Sequence, residues 1–81
     1  MNDRDVAQEV LSELEEWLQL PPRQYTGSVH LFARRLPREM LLDAVYLAMS
    51  RLPEGDQDSF RYFCGVCWSM IRERRLAHIL N

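Results

Sequence analysis

The segment that most constrains the fold is residues 59–72, with the sequence Ser-Phe-Arg-Tyr-Phe-Cys-Gly-Val-Cys-Trp-Ser-Met-Ile-Arg. On a helix, at 100° per residue, apolar side chains cover nearly every side of this segment. One polar or small sector remains, formed by Arg61, Gly65, Ser69 and Arg72 and flanked by Tyr62 and Trp68. A chain of 81 residues is too small to surround such a helix completely. We therefore expect it to be the centre of the fold, or to be half core and half docking surface.

Helical periodicity along the chain predicts an all-α, compact bundle of about four helices over residues 3–20, 29–36, 37–52 and 59–79. Apolar residues of the first helix recur at three- and four-residue spacing from Val6 to Leu18. Asn2 or Asp3 can cap its start, and Pro21-Pro22 ends it. We expect a single helical domain over residues 1–81.

The second predicted helix begins after Ser28, which we interpret as its N-cap. The alternation of Val29 and Leu31 with His30 and Phe32 also suits a strand. A helix is preferred because the sequence offers no second strand to pair with it. Pro37 suits the first turn of the third helix.

Composition and charge limit the class of protein. Hydrophobic residues make up 47% of the chain and charged residues 27%, as in ordinary globular domains. Neither a signal segment nor a run of roughly 20 apolar residues is visible, so we expect a cytoplasmic protein without a membrane partner. Its small core suits a monomer or a small homo-oligomer.

Acidic and basic residues are unevenly distributed. Residues 1–20 carry six acids against one arginine, a net charge of −5, and residues 21–81 carry nine arginines against six acids, a net charge of +3. The whole chain has a formal charge of −2, which disfavours a purely electrostatic nucleic-acid binder. We expect the acidic first helix to lie against the basic last one.

Cys64-Gly65-Val66-Cys67 is a C-x-x-C motif with three interpretations. A redox pair needs its first cysteine exposed at a helix N-terminus, and Cys64 lies inside an apolar helix. A zinc site needs about four ligands. His78, the nearer histidine, lies roughly 16 Å from Cys67 along the helix axis, too far to share an ion with it. The favoured interpretation is two small buried side chains. No nucleophile–base set can be assembled, so we expect no enzyme, cofactor or metal.

Gly65 and Ser69, four residues apart, would let another helix approach closely. That helix could be the first or third helix of the chain, or a helix of a partner. Tyrosine, tryptophan and arginine dominate protein–protein hot spots, and all three border this pair. The predicted partner-binding residues are Arg61, Tyr62, Gly65, Trp68, Ser69 and Arg72. The same residue types can stack nucleobases and hold phosphates.

Two groups of arginines are candidates for nucleic-acid contacts. They are Arg34, Arg35 and Arg38 at the turn between the second and third helices, and Arg74 and Arg75 near the end of the fourth. Cations at a helix C-terminus also complement the helix dipole, which is a structural reason for the second group. A helix-turn-helix over residues 29–52 would present Glu39, Leu42 and Asp43 to DNA, which suits DNA poorly.

Two short motifs carry a family resemblance. Met40-Leu41-Leu42-Asp43-Ala44-Val45 precedes an aromatic helix with Tyr62-Phe63-Cys64-Gly65-Val66-Cys67. In this order, residues 38–72 resemble the C-terminal helical module of DnaD-type replication proteins of phages and plasmids. The winged-helix part of such proteins has no counterpart here. The resemblance implies an accessory protein that acts through DNA or a replication partner.

The sequence favours a small non-enzymatic regulator or adaptor that binds another protein. One example is a protein encoded by a mobile element that sequesters a DNA-binding activator. The alternative is a DNA-binding accessory protein of phage or plasmid replication.

Overall fold

The computed structural model describes residues 2–80, with side chains as far as Ala77. Its helices are α1 (Asp3–Leu18), α2 (Thr26–Arg35), α3 (Arg38–Arg51) and α4 (Ser59–Leu80), with a 3-10 turn at Pro22–Gln24. Residues 2–80 contain no strand, so the predicted all-α bundle of four helices is confirmed. No helix in this part of the chain combines the length and the apolar character needed to cross a bilayer.

The start of α1 is as predicted, and its end lies two residues earlier. The Asn2 side chain accepts a hydrogen bond of 2.9 Å from the Asp5 amide, which caps the helix. At the other end, Gln19 adopts a left-handed conformation with φ 55°. The helix therefore stops before Leu20, the residue whose helical conformation Pro21 disfavours.

The N-cap assigned to Ser28 is wrong. Helix α2 begins at Thr26, so Ser28 lies inside its first turn. The side chain of Tyr25 is buried, and its carbonyl accepts a hydrogen bond of 3.0 Å from the Val29 amide. Because this buried ring fixes the chain at the end of the 3-10 turn, the helix starts without a serine cap. Pro37 immediately precedes α3 rather than lying in its first turn.

The packing of α1 also differs from the prediction. Helix α1 packs against α2 and α3, whereas α4 packs mainly on α3 and to a smaller extent on α2. The expectation that acidic α1 lies along basic α4 is therefore wrong. Glu9 instead pairs with Arg38 at the start of α3, with 2.8 Å between Oε2 and Nε. Hydrogen bonding to this guanidinium lowers the pKa of the Glu9 carboxyl.

Two hydrogen bonds set the entry of the chain into α4. The Trp17 indole Nε1 donates to the Leu52 carbonyl over 3.0 Å, at the end of α3. In the following turn, the Gly55 amide donates to the Trp17 carbonyl over 2.8 Å. Gly55 has φ 73°, a conformation that glycine adopts without strain. The turn at residues 53–57 is thereby tied to the end of α1, which fixes where α4 begins.

Candidate functional site

Helix α4 buries one narrow row of side chains in the core. Its buried residues follow one another at four-residue spacing: Ser59, Phe63, Cys67 and Ile71. This row lies on one side of the helix, because four residues exceed one helical turn by only about 40°. The helix is therefore half core and half exposed, which rules out the first of the two expected arrangements, a helix covered on all sides at the centre of the fold.

The opposite side of α4 carries all six residues predicted to bind a partner. We call it the outer face, formed by Arg61, Tyr62, Gly65, Trp68, Ser69 and Arg72. The Tyr62 side chain is 37% exposed and the Trp68 side chain 48% exposed. Arg61, Gly65 and Arg72 are exposed, and Ser69 is half-buried. Large aromatic side chains with this much exposure mark a surface that the core does not use.

No other described part of the chain packs closely over Gly65. A Cβ atom built on Gly65 meets no heavy atom within 4 Å. The interpretation in which Gly65 and Ser69 let α1 or α3 approach α4 closely is therefore wrong. A glycine inside a helix costs roughly 0.5–1 kcal/mol relative to alanine. No contact among the described residues offsets this cost, so packing within this part of the chain does not explain why position 65 is a glycine.

Two shallow grooves run beside the line from Gly65 to Ser69, and both residues line each groove. The basic groove, on the α2 side, is further lined by Arg35, Trp68, Ile71, Arg72, Arg75 and Leu76. The apolar groove, on the α3 side, is further lined by Leu47, Tyr62, Val66, Met70 and Glu73. On α4, Gly65 and Ser69 therefore form a low ridge between the basic groove and the apolar groove.

Trp68 is held in place by the core although its ring is half exposed. Its ring centroid lies 5.3 Å from that of Phe32, with the planes at 81°. Phe32 in turn contacts Phe63 edge-on, with 5.9 Å between the centroids. Such edge-to-face pairs favour one ring orientation. The exposed part of the indole is therefore held in one orientation.

Sequence reasoning missed two exposed aliphatic residues near the outer face, Leu47 and Leu76, which are 40% and 53% exposed. Leu47 lies off the buried row of α3, so its position on the helical projection was an available signal; that row is Leu41, Ala44, Val45 and Ala48. Leu76 follows Arg72 by four residues and lies on the same side of α4. Both widen the apolar area available to a partner.

Three of the five arginines proposed for nucleic acid, Arg35, Arg74 and Arg75, are brought together. Arg74 donates a hydrogen bond of 2.9 Å from Nη1 to the Arg35 carbonyl, which joins the end of α2 to α4. Arg35 and Arg75 also line the same groove, whereas Arg34 lines neither groove. Arg38 is directed away, because it pairs with Glu9 of α1.

The cysteines lie on the inner half of α4. Cys67 is fully buried, Cys64 is half-buried, and neither forms a disulfide. Burial raises the pKa of Cys64 to about 11 and that of Cys67 to about 12. Within residues 2–77, no group of three or more His, Cys, Asp or Glu side chains could hold a metal ion. The side chain of His78, considered for zinc, lies outside the described residues.

We expect both thiols to react slowly with Ellman's reagent in the folded protein. With the Cys64 pKa at about 11 instead of about 8.5, the thiolate fraction at pH 8 falls more than a hundredfold. The measurement is the reaction rate at pH 8 with and without denaturant. The folded state also holds these protons where the unfolded chain releases them, so stability should fall as pH rises above about 8.5. Fast reaction of the folded protein would contradict the burial of this motif.

Comparison with protein-family models, with curated proteins and with solved structures finds no match.

Proposed function

We propose that the protein is a non-enzymatic regulator or adaptor that acts by binding another protein through the outer face of α4. The observation that carries this proposal is Gly65, an exposed helical glycine with open space above it, between the half-exposed rings of Tyr62 and Trp68. Tyrosine, tryptophan and arginine are the residue types that dominate interface hot spots. A helical glycine removes the side chain that would keep a partner at a distance.

The proposal extends to the kind of regulation. A cytoplasmic protein of this size, as a monomer or small homo-oligomer, could sequester a DNA-binding activator by covering its contact surface. The uneven distribution of charge, with a net −5 in residues 1–20, would let one side of the protein repel nucleic acid while another binds the activator. An origin in a mobile genetic element is part of this proposal.

Capture of a partner from the native host, with the purified protein as bait, tests the proposal. Tyr62→Ala should weaken capture about tenfold, because it removes an exposed aromatic side chain from the outer face. Tyr46→Ala is the matched control, since Tyr46 is 53% exposed on α3 and lines neither groove. Equal effects of the two substitutions, or no specific capture by the wild-type protein, would contradict the proposal.

The second candidate is a DNA-binding accessory protein of phage or plasmid replication, as the resemblance to DnaD-type proteins implies. The observation in its favour is the Arg74–Arg35 hydrogen bond, which joins α2 to α4 where Arg35 and Arg75 line one groove. Such a protein should bind single- or double-stranded DNA with an affinity that falls steeply with salt. Arg75→Gln should reduce both the affinity and the salt dependence.

A further inference from the structure

We infer that the outer face takes an amphipathic helix of another protein that carries aspartate or glutamate residues along one edge. This inference rests on the proposed function of protein binding and names the chemistry of the partner. It follows from the shape of the face, from the difference between its two grooves, and from the charges that a second copy of this chain would bring.

The shape of the face suits a helix. Gly65 and Ser69 form a low ridge, over which the backbone of a second helix can approach closely. Residues 2–80 contain no strand, so the described part of the chain offers no sheet edge to an extended peptide. The face from Tyr62 to Leu76 extends about 21 Å along the axis of α4, which matches about four turns of a partner helix.

The two grooves differ in charge. Arg35, Arg72 and Arg75 are exposed in the basic groove, beside the half-exposed ring of Trp68. The apolar groove has Leu47, Val66 and Met70 as its walls, and Glu73 is the one acidic residue among the described residues that line either groove. A helix lying along the ridge would contact both grooves at once. Its edge toward α2 should therefore be acidic, and its edge toward α3 should be apolar.

A second copy of the chain is a poor occupant. In an antiparallel α4 pair centred between Gly65 and Ser69, Arg61 of one copy lies at the level of Arg72 of the other and on the same flank. In a parallel pair, the basic groove of one copy lies against the apolar groove of the other, where Glu73 is the single described carboxylate for three arginines. Like charges that face each other across an interface disfavour association. The arginines thus direct the face toward an acidic partner.

A nucleic acid uses less of the face than a helix does. Its phosphates would satisfy the arginines of the basic groove, and its bases could stack on Trp68. The aliphatic side chains of the apolar groove, Leu47, Val66 and Met70, would stay exposed to solvent in such a complex. An amphipathic helix covers both grooves, which is why we favour it.

Two labelled designed helical peptides, each about 18 residues long, test the inference by fluorescence anisotropy. They share one apolar stripe, and one peptide carries glutamates along the adjacent edge where the other carries lysines. We expect the glutamate peptide to bind at least ten times more tightly. Arg72→Glu should remove most of that preference. Arg4→Glu, an equal charge change on exposed Arg4 of α1, should leave it unchanged. Circular dichroism of each variant checks that the fold is retained.

Equal affinity for the two peptides, or binding of neither, would overturn the inference. A labelled DNA duplex that binds more tightly than the glutamate peptide would also overturn it, in favour of nucleic acid. Sedimentation that shows a dimer disrupted by Gly65→Leu would assign the face to a second copy instead. If host capture still depends on Tyr62 in any of these cases, the proposed function stands and only the acidic helix is wrong.

Discussion

Replacing Gly65 by leucine is expected to weaken partner binding strongly and to make the isolated protein more stable. The two effects have different causes. Because no described atom beyond the adjoining helix backbone lies within 4 Å of the position of a Cβ, the new side chain starts in open space in the free protein. Leucine also favours the helical backbone over glycine by roughly 0.5–1 kcal/mol. In the complex, the same side chain fills the space that we assign to the partner helix.

The size of the binding loss follows from the cost of forcing extra volume into a packed interface. Such overpacking costs roughly 1–3 kcal/mol, and the upper end corresponds to more than a hundredfold in affinity. The melting temperature of the free protein should rise by about 4 °C. The measurements are a thermal melt of the free protein and the affinity for the captured partner or the glutamate peptide.

Gly27→Leu provides the matched control. Gly27 is exposed in α2, a Cβ there also meets no atom within 4 Å, and it lines neither groove. Gly27→Leu should leave binding unchanged, because its side chain would lie away from the outer face. A Gly65→Leu protein that unfolds would show that α4 packs differently. A Gly65→Leu protein that is stable and binds normally would show that Gly65 is not part of the docking surface.

The four helices could be predicted because their periodicity is a local property. The apolar stripe of α1 ends where the prolines begin, and the stripe of α3 falls on its buried residues. The start of α2 could not be predicted in the same way. It depends on the burial of Tyr25 against distant residues, among them Phe60, whose ring centroid lies 6.3 Å away. A local serine therefore gave the wrong boundary.

Part of the candidate site could be predicted because residue spacing along a helix is also a local property. The spacing of Gly65 and Ser69 puts them on one side of any helix. Whether that side faces the core could not be read from α4, since the helix is apolar nearly all round. The answer depends on which row finds neighbours in α2 and α3, and Phe63 meets Phe32. The lining residues on other helices, Leu47 and Arg35, follow from that packing and from no local pattern.

The largest loss of stability is expected from a substitution on the buried side of α4, at Phe63. Phe63 is fully buried and contacts Phe32 edge-on, whereas its neighbour Tyr62 is 37% exposed. We expect Phe63→Ala to cost about 3–5 kcal/mol, from lost burial and from the cavity left behind. This is a large fraction of the roughly 5–15 kcal/mol that stabilises a small domain.

Tyr62→Ala, at the adjacent position, should cost about 1 kcal/mol or less, because water already covers much of that ring. Chemical denaturation of the two variants and the wild-type protein measures the difference. With Phe63→Ala, the melting temperature should fall by roughly 15 °C or more. Equal losses for the two variants, or a larger loss for Tyr62→Ala, would mean that α4 is rotated about its axis. The residues that we assign to the outer face would then belong to the core, and the docking surface would have to be sought elsewhere.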